Sequence, residues 1–161
     1  MQEKEFSTAF IVFNSISELP HDAKSLMEQA INARKKAYAP YSKFMVGAAI
    51  LLANGRIVTG NNQENAAFPS GMCAERVAIY QAGSRYPNEK ILQIAISAAN
   101  STNNLTTPIA PCGACRQAIA EYEQKQKTPI YIFFMGETGN IIQVKSLEAL
   151  LPFGFGGQYL Y

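Results

Sequence analysis

Met72-Cys73-Ala74-Glu75-Arg76 and Pro111-Cys112-Gly113-Ala114-Cys115-Arg116-Gln117 are the stretches from which this chain is best read, because they hold all three of its cysteines. The pattern is C-x-E followed by P-C-x-x-C. Three thiolates can hold one zinc ion and leave its fourth position open, which is the catalytic rather than the structural arrangement. No cysteine remains to close the site. Cys73 and Cys112 both stand at expected helix starts, where free amides and the positive end of the helix dipole favour thiolates. Two helix N-termini are therefore expected to converge on one metal.

The flanking segments alternate in type. Residues 73–81 are expected to form a helix closed by Gly83, and residues 112–122 a second helix. Residues 91–98 and 130–135 read as buried strands, with a polar loop over 100–108 and a turn at 136–140 leading into a strand at 141–144. Residues 147–151 add a short helix. Upstream, Leu26, Ala30, Ala33 and Ala37 recur at helical spacing, which predicts a helix over 22–38 ended by Ala39-Pro40. Residues 46–53 and 56–60 form a strand pair around an Asn54-Gly55 turn. Strands alternating with helices predict a three-layer α/β/α sandwich around a mixed five-stranded sheet. Residues 20–161 form a single domain, and residues 1–19 a leader of unassigned role with an additional strand over 8–13.

The composition fits a compact soluble protein, with 48% hydrophobic and 16% charged residues. A net charge of +2 with scattered basic residues argues against nucleic-acid binding. The one basic run, Arg34-Lys35-Lys36, falls in a helical pattern and reads as a solvated face. The N-terminus lacks the pattern of a signal peptide, and residues 9–13 are too short an apolar run to span a membrane. Three cysteines wanted as reduced thiolates imply no disulfide framework and a cytoplasmic location.

Two other readings of the cysteines exist. Cys112-Gly113-Ala114-Cys115 has the form of a thioredoxin-type redox pair, but it comes late in the chain and a third cysteine stands beside an acidic residue. A structural zinc site would need a fourth ligand, for which His21 in Pro20-His21-Asp22 is the candidate. Glu75 argues against this, since a closed site has no need of a carboxylate two residues from a ligand.

The metal motif is related to the H-x-E…P-C-x-x-C signature of zinc-dependent nucleobase deaminases, with Cys73 in the histidine position. Three further blocks carry a closer resemblance. They are Ala37-Tyr38-Ala39-Pro40-Tyr41-Ser42-Lys43-Phe44 followed by Val46-Gly47-Ala48-Ala49; Gly60-Asn61-Asn62-Gln63-Glu64-Asn65-Ala66-Ala67-Phe68; and Leu150-Leu151-Pro152 with Phe155-Gly156. In these, over about residues 22–156, the chain resembles the small, homotetrameric, zinc-dependent cytidine deaminases. It departs at Met45, where that family usually has proline.

The resemblance implies one zinc per subunit on Cys73, Cys112 and Cys115, with Glu75 as proton shuttle. It implies Asn62 and Glu64 on the ribose, chiefly the 3′-hydroxyl, Phe44 packed near the base, and the Ala66 amide on the base carbonyl. Phe155 would close a neighbouring subunit's pocket, and Arg76 would donate to ligand thiolates. The implied reaction is hydrolytic deamination of cytidine and 2′-deoxycytidine by zinc-activated water, in pyrimidine salvage. The implied partners are a nucleoside substrate and three further copies of the chain, with neither nucleic acid nor membrane. The alternatives are a deaminase of another aminonucleoside such as blasticidin S and a structural zinc interaction module.

Overall fold

A computed structural model describes residues 1–160; Tyr161, the last residue of the expected domain, lies outside them. The elements are β1 (Ile11–Phe13), α1 (His21–Arg34), β2 (Phe44–Leu52), β3 (Ile57–Asn61), α2 (Ala74–Arg85), β4 (Ile91–Asn100), α3 (Gly113–Gln126), β5 (Tyr131–Met135) and β6 (Ile141–Val144). The strands form one mixed sheet in the order β1-β6-β5-β4-β2-β3, in which β4 and β5 pair in parallel and every other pair is antiparallel. The expected five-stranded sheet thus gains a sixth strand: Ile11–Phe13, in the leader, pairs with β6 along its free edge.

Strand alternation builds the three layers. Ala48, Ile50 and Leu52 of β2, Ile94 and Ile96 of β4, and Ile132 and Phe134 of β5 pack with α2 and α3. Ala49, Ala95, Phe133 and Met135, from the same strands, pack on the opposite face against Leu26, Met27 and Ala30 of α1. Leu19 joins this second core, with Phe13 and Ile16 partly buried beside it, so the leader is anchored from Phe13 to Leu19 while residues 1–12 stay exposed.

Close helix approach depends on glycine in both β2 and β3: a Cβ at Gly47 would run into the Ala30 carbonyl and the Arg34 amide of α1, and Gly60 stands in the same relation to α2. A side chain at Gly60 of β3 would lie 2.6 Å from the Ala74 carbonyl and 2.6 Å from the Ala78 amide, so α2 can rest on β3 only because that side chain is missing. Gly83, expected as a helix stop, lies inside α2, which runs on to Arg85. A Cβ there would fall on the Tyr122 hydroxyl, so Gly83 makes room for α3 rather than ending α2.

Helix α1 stops at Arg34, short of the expected Tyr38. Beyond it the Tyr38 amide donates to the Asn62 carbonyl at 3.0 Å and the Tyr38 carbonyl accepts from the Glu64 amide at 2.9 Å, which requires an extended backbone. The basic run is also not a uniformly solvated face. Lys35 and Lys36 are exposed, but Arg34 is buried and donates to the Ser97 hydroxyl at 2.8 Å and the Ala98 carbonyl at 3.3 Å.

Because β3 and β4 are both antiparallel to β2, they run parallel to each other, and α2 crosses between them as α3 crosses between β4 and β5. Both helices therefore begin beyond the C-terminal ends of strands, the usual place for a ligand site in such sheets.

Candidate metal centre and substrate cleft

Cys73 is the N-cap residue of α2, Cys112 is the N-cap of α3, and Cys115 sits in the first turn of α3. Their sulfurs all lie within 4.8 Å of one another. Cys73 Sγ is 3.9 Å from Cys112 Sγ, which is 3.5 Å from Cys115 Sγ. Tetrahedral zinc with Zn–S bonds of about 2.3 Å requires sulfurs roughly 3.8 Å apart, so the donor set and its spacing fit one zinc ion. The three cysteines are free of disulfides, and Cys112 is the most exposed of them. His21 is exposed at the start of α1 and is not part of this group.

The thiols differ in acidity even without metal. Hydrogen bonding from Cys115, and then from Arg76, holds Cys73 down to about 5 against the opposing effect of burial. Cys115 is pushed up, first by the same bond to Cys73 and then by burial and the Glu75 carboxylate. Arg76 Nη2 lies 3.8 Å from Cys73 Sγ, and this contact raises its already high pKa. The Arg76 Nε is buried and has no partner among the described residues.

Glu75 follows one residue into α2 and is only 6% exposed. Burial lifts its carboxyl above the ordinary range, its own backbone amide opposes the lift, and the Cys73 thiolate adds to it. A buried carboxyl beside a metal centre is suited to holding and releasing a proton.

A cleft of about 460 Å³ opens beside Cys73, lined among others by Tyr41, Asn62, Glu64, Met72 and Arg76. Its size falls in the range of about 300–1,000 Å³ typical of small-molecule sites. Local pairing places the polar residues there. Gln63 exchanges two 2.9 Å backbone bonds with Met72, which tethers Asn62 and Glu64 to the residue preceding Cys73.

Asn62 and Glu64 also hold backbone. Asn62 Oδ1 accepts from the Val46 amide at 2.7 Å, and its Nδ2 donates to the Phe44 carbonyl at 2.9 Å. Glu64 accepts from the Tyr41 amide at 2.8 Å, from the Ser42 amide and from the Ser42 hydroxyl. The Ser42 bond is the main reason its pKa falls below the usual carboxylate value.

Of the other expected site residues, Phe44 begins β2, and Ala66 is exposed in the loop after Glu64; neither lines the cleft. Phe155 is 57% exposed and stacks on Tyr159, with its carbonyl accepting from Gln117 of α3, and it too stays out of this chain's own cleft.

Sequence reading missed Arg116. Its Nε donates to the Pro111 carbonyl at 2.8 Å and its Nη1 to the Leu150 carbonyl at 3.0 Å, which fastens the loop before Cys112 to the C-terminal segment. Its place directly after Cys115 was the available signal. Tyr41 packs edge-on to Phe68 in the cleft lining, with ring centres 6.1 Å apart.

Residues 20–131 match the family described as the cytidine and deoxycytidylate deaminase zinc-binding region. A cytidine deaminase of Halalkalibacterium halodurans is 39% identical over 134 residues, 83% of this chain and 94% of the relative. One from Sporosarcina psychrophila is 40% identical over 140 residues, 86% of this chain and 95% of the relative. The crystal structure of cytidine deaminase from Burkholderia pseudomallei superimposes with a TM-score of 0.71 at 36% identity, covering 85% of this chain and all of that one.

Proposed function

This chain belongs to the cytidine and deoxycytidylate deaminase family, and on that premise we propose that it is a zinc-dependent enzyme that deaminates cytidine and 2′-deoxycytidine to uridine and 2′-deoxyuridine in pyrimidine salvage. The observation that carries this reading is the buried Glu75 two residues from Cys73, in a three-cysteine cluster spaced for one zinc.

Bound there, zinc supplies the Lewis acidity that makes water nucleophilic near neutral pH. Glu75 carries the protons. It takes one from the water and delivers it to N3 of the base as the oxygen bonds to C4. It then takes the proton of the new C4 hydroxyl and passes it to the amino group. The C4–N bond breaks with its electron pair on nitrogen, so ammonia leaves and a C4 carbonyl remains. The lifted proton affinity of Glu75 suits this role.

Asn62 and Glu64 hold the ribose, chiefly through the 3′-hydroxyl. A carboxylate offers about four lone-pair sites and a side-chain amide two N–H donors. Each residue therefore keeps capacity after its backbone bonds. Phe44 packs near the base, and the Ala66 amide donates to the base carbonyl.

The working form is a homotetramer in which Phe155 closes a neighbour's cleft. Three free thiols suit a reducing cytoplasm, which cell fractionation checks. Among the described residues, no helix is long and apolar enough to cross a membrane.

The test is the ultraviolet change on mixing protein with cytidine, beside Glu75→Ala loaded with equal zinc. The parent should form uridine, and the variant should be slower by on the order of a hundredfold or more. Equal rates would remove Glu75 from the mechanism. If zinc-loaded parent leaves cytidine unchanged, the reading passes to another aminonucleoside or to a structural zinc module.

A further inference from the structure

We propose that Ser42 is a positioning residue that locks the sugar-binding pair and the base-side Phe44 into one unit, so that its hydroxyl sets how strongly the enzyme discriminates at the sugar. This rests on the reading of Asn62 and Glu64 as the ribose grip.

The Ser42 hydroxyl has one proton, and it spends it on Glu64 Oε1; its lone pair accepts the Phe44 amide at 3.0 Å. Phe44 is held at its other end as well, since its carbonyl accepts from Asn62 Nδ2 at 2.9 Å. The backbone of the aromatic residue is thus tied at N–H to Glu64 through Ser42 and at C=O directly to Asn62. Displacing either sugar-binding side chain displaces the peptide that carries Phe44.

The residue between them shows how firmly the loop is held. Lys43 has φ +58°, a left-handed conformation that a lysine adopts only where its surroundings impose it. Its amide donates to the Ala39 carbonyl at 3.1 Å, and its carbonyl accepts from the Ser101 amide at 3.2 Å. Those bonds pin the middle of the turn, while the Ser42 hydroxyl connects the turn to Glu64.

Ser42 itself is exposed, so its hydroxyl contributes little to the core. Its consequence lies in where it points Glu64. Without it, Glu64 keeps its amide bonds at Tyr41 and Ser42, but Oε1 is left with only the long 3.4 Å contact to the Ser42 amide, so the carboxylate is held chiefly through Oε2.

Thr and Val have the same shape and differ in the hydroxyl, so Ser42→Thr and Ser42→Val form a matched test, with Ser42→Ala as a smaller third variant. For each, kcat and KM are measured with cytidine and 3′-deoxycytidine on zinc-loaded protein, alongside zinc content and Tm. Ser42→Val and Ser42→Ala should keep zinc and Tm, raise the KM for cytidine about tenfold, change kcat less, and shrink the preference for cytidine over 3′-deoxycytidine. Ser42→Thr should keep the parent's values. Parent-like preference in Ser42→Val, or an equal KM rise for both nucleosides, overturns the role of Ser42. A parent that does not prefer cytidine over its 3′-deoxy analogue overturns the ribose reading itself, and this proposal with it.

Discussion

Three thiolates around a divalent cation leave one net negative charge, which weakens the cation's pull on electrons. At the residue scale, Arg76 is the cation placed to offset this. Its guanidinium lies 3.8 Å from Cys73 Sγ and helps to lower that thiol's pKa. Removing the charge should spare the three sulfur ligands and slow the chemistry. Arg76→Gln is therefore expected to retain stoichiometric zinc by metal analysis while kcat falls about tenfold to a hundredfold. Full activity with full zinc would show that the thiolates need no such counter-charge. Much of this centre was legible in the sequence, because ligand chemistry depends on residue type and on two short spacings. The backbone-holding bonds of Asn62 and Glu64 were not. Which backbone amide a polar side chain reaches depends on the turn at residues 41–44, and no spacing rule describes that turn.

At the scale of elements, the metal centre is only as well placed as α2 is. The helix carries Cys73 at its cap and Glu75 in its first turn, and that first turn lies on Gly60. Gly60→Ala would push a methyl against the Ala74 carbonyl and the Ala78 amide, backbone atoms that cannot swing aside. Overpacking of this kind should cost about 1–3 kcal/mol in denaturant unfolding. Because the shift falls next to Cys73, zinc should also be lost more readily to a chelator. Unchanged stability and unchanged zinc retention would mean that α2 is not seated through this contact. The same close packing explains where sequence reading of the elements failed. Gly83 resembles a helix stop, yet it serves the Tyr122 contact between α2 and α3. The apolar spacing through Ala37 suggested a longer α1, but pairing of Tyr38 with Asn62 and Glu64 overrides local helical preference. The core strands were clear because alternation and apolar runs are local signals. The additional strand expected over 8–13 does form, but only over Ile11–Phe13, because its pairing depends on the free edge of β6.

For the whole molecule, the feature that bears on assembly is the aromatic surface around the C-terminal segment. Phe153 is 92% exposed, Phe155 57% and Tyr159 68%, a cluster that water solvates poorly. Phe155 is held in place, with its ring stacked on Tyr159 at 5.7 Å and its carbonyl bonded to Gln117, yet it lines no part of its own chain's cleft. A side chain fixed in position but without work in its own subunit is suited to a neighbour's site, and closed symmetric assembly is the common way to provide one. The protein is accordingly expected to sediment with the mass of four chains. If Phe155 forms the far wall of a neighbour's cleft, Phe155→Ala should raise the KM for cytidine several-fold while zinc content stays at parent level. Mixing subunits sharpens the test. Glu75→Ala lacks the proposed proton carrier but keeps its Phe155, so combining it with Phe155→Ala should bring back parent-like KM in a fraction of the clefts. A fully active monomer, or a mixture whose kinetics are the plain average of its two components, would place Phe155 outside the active assembly.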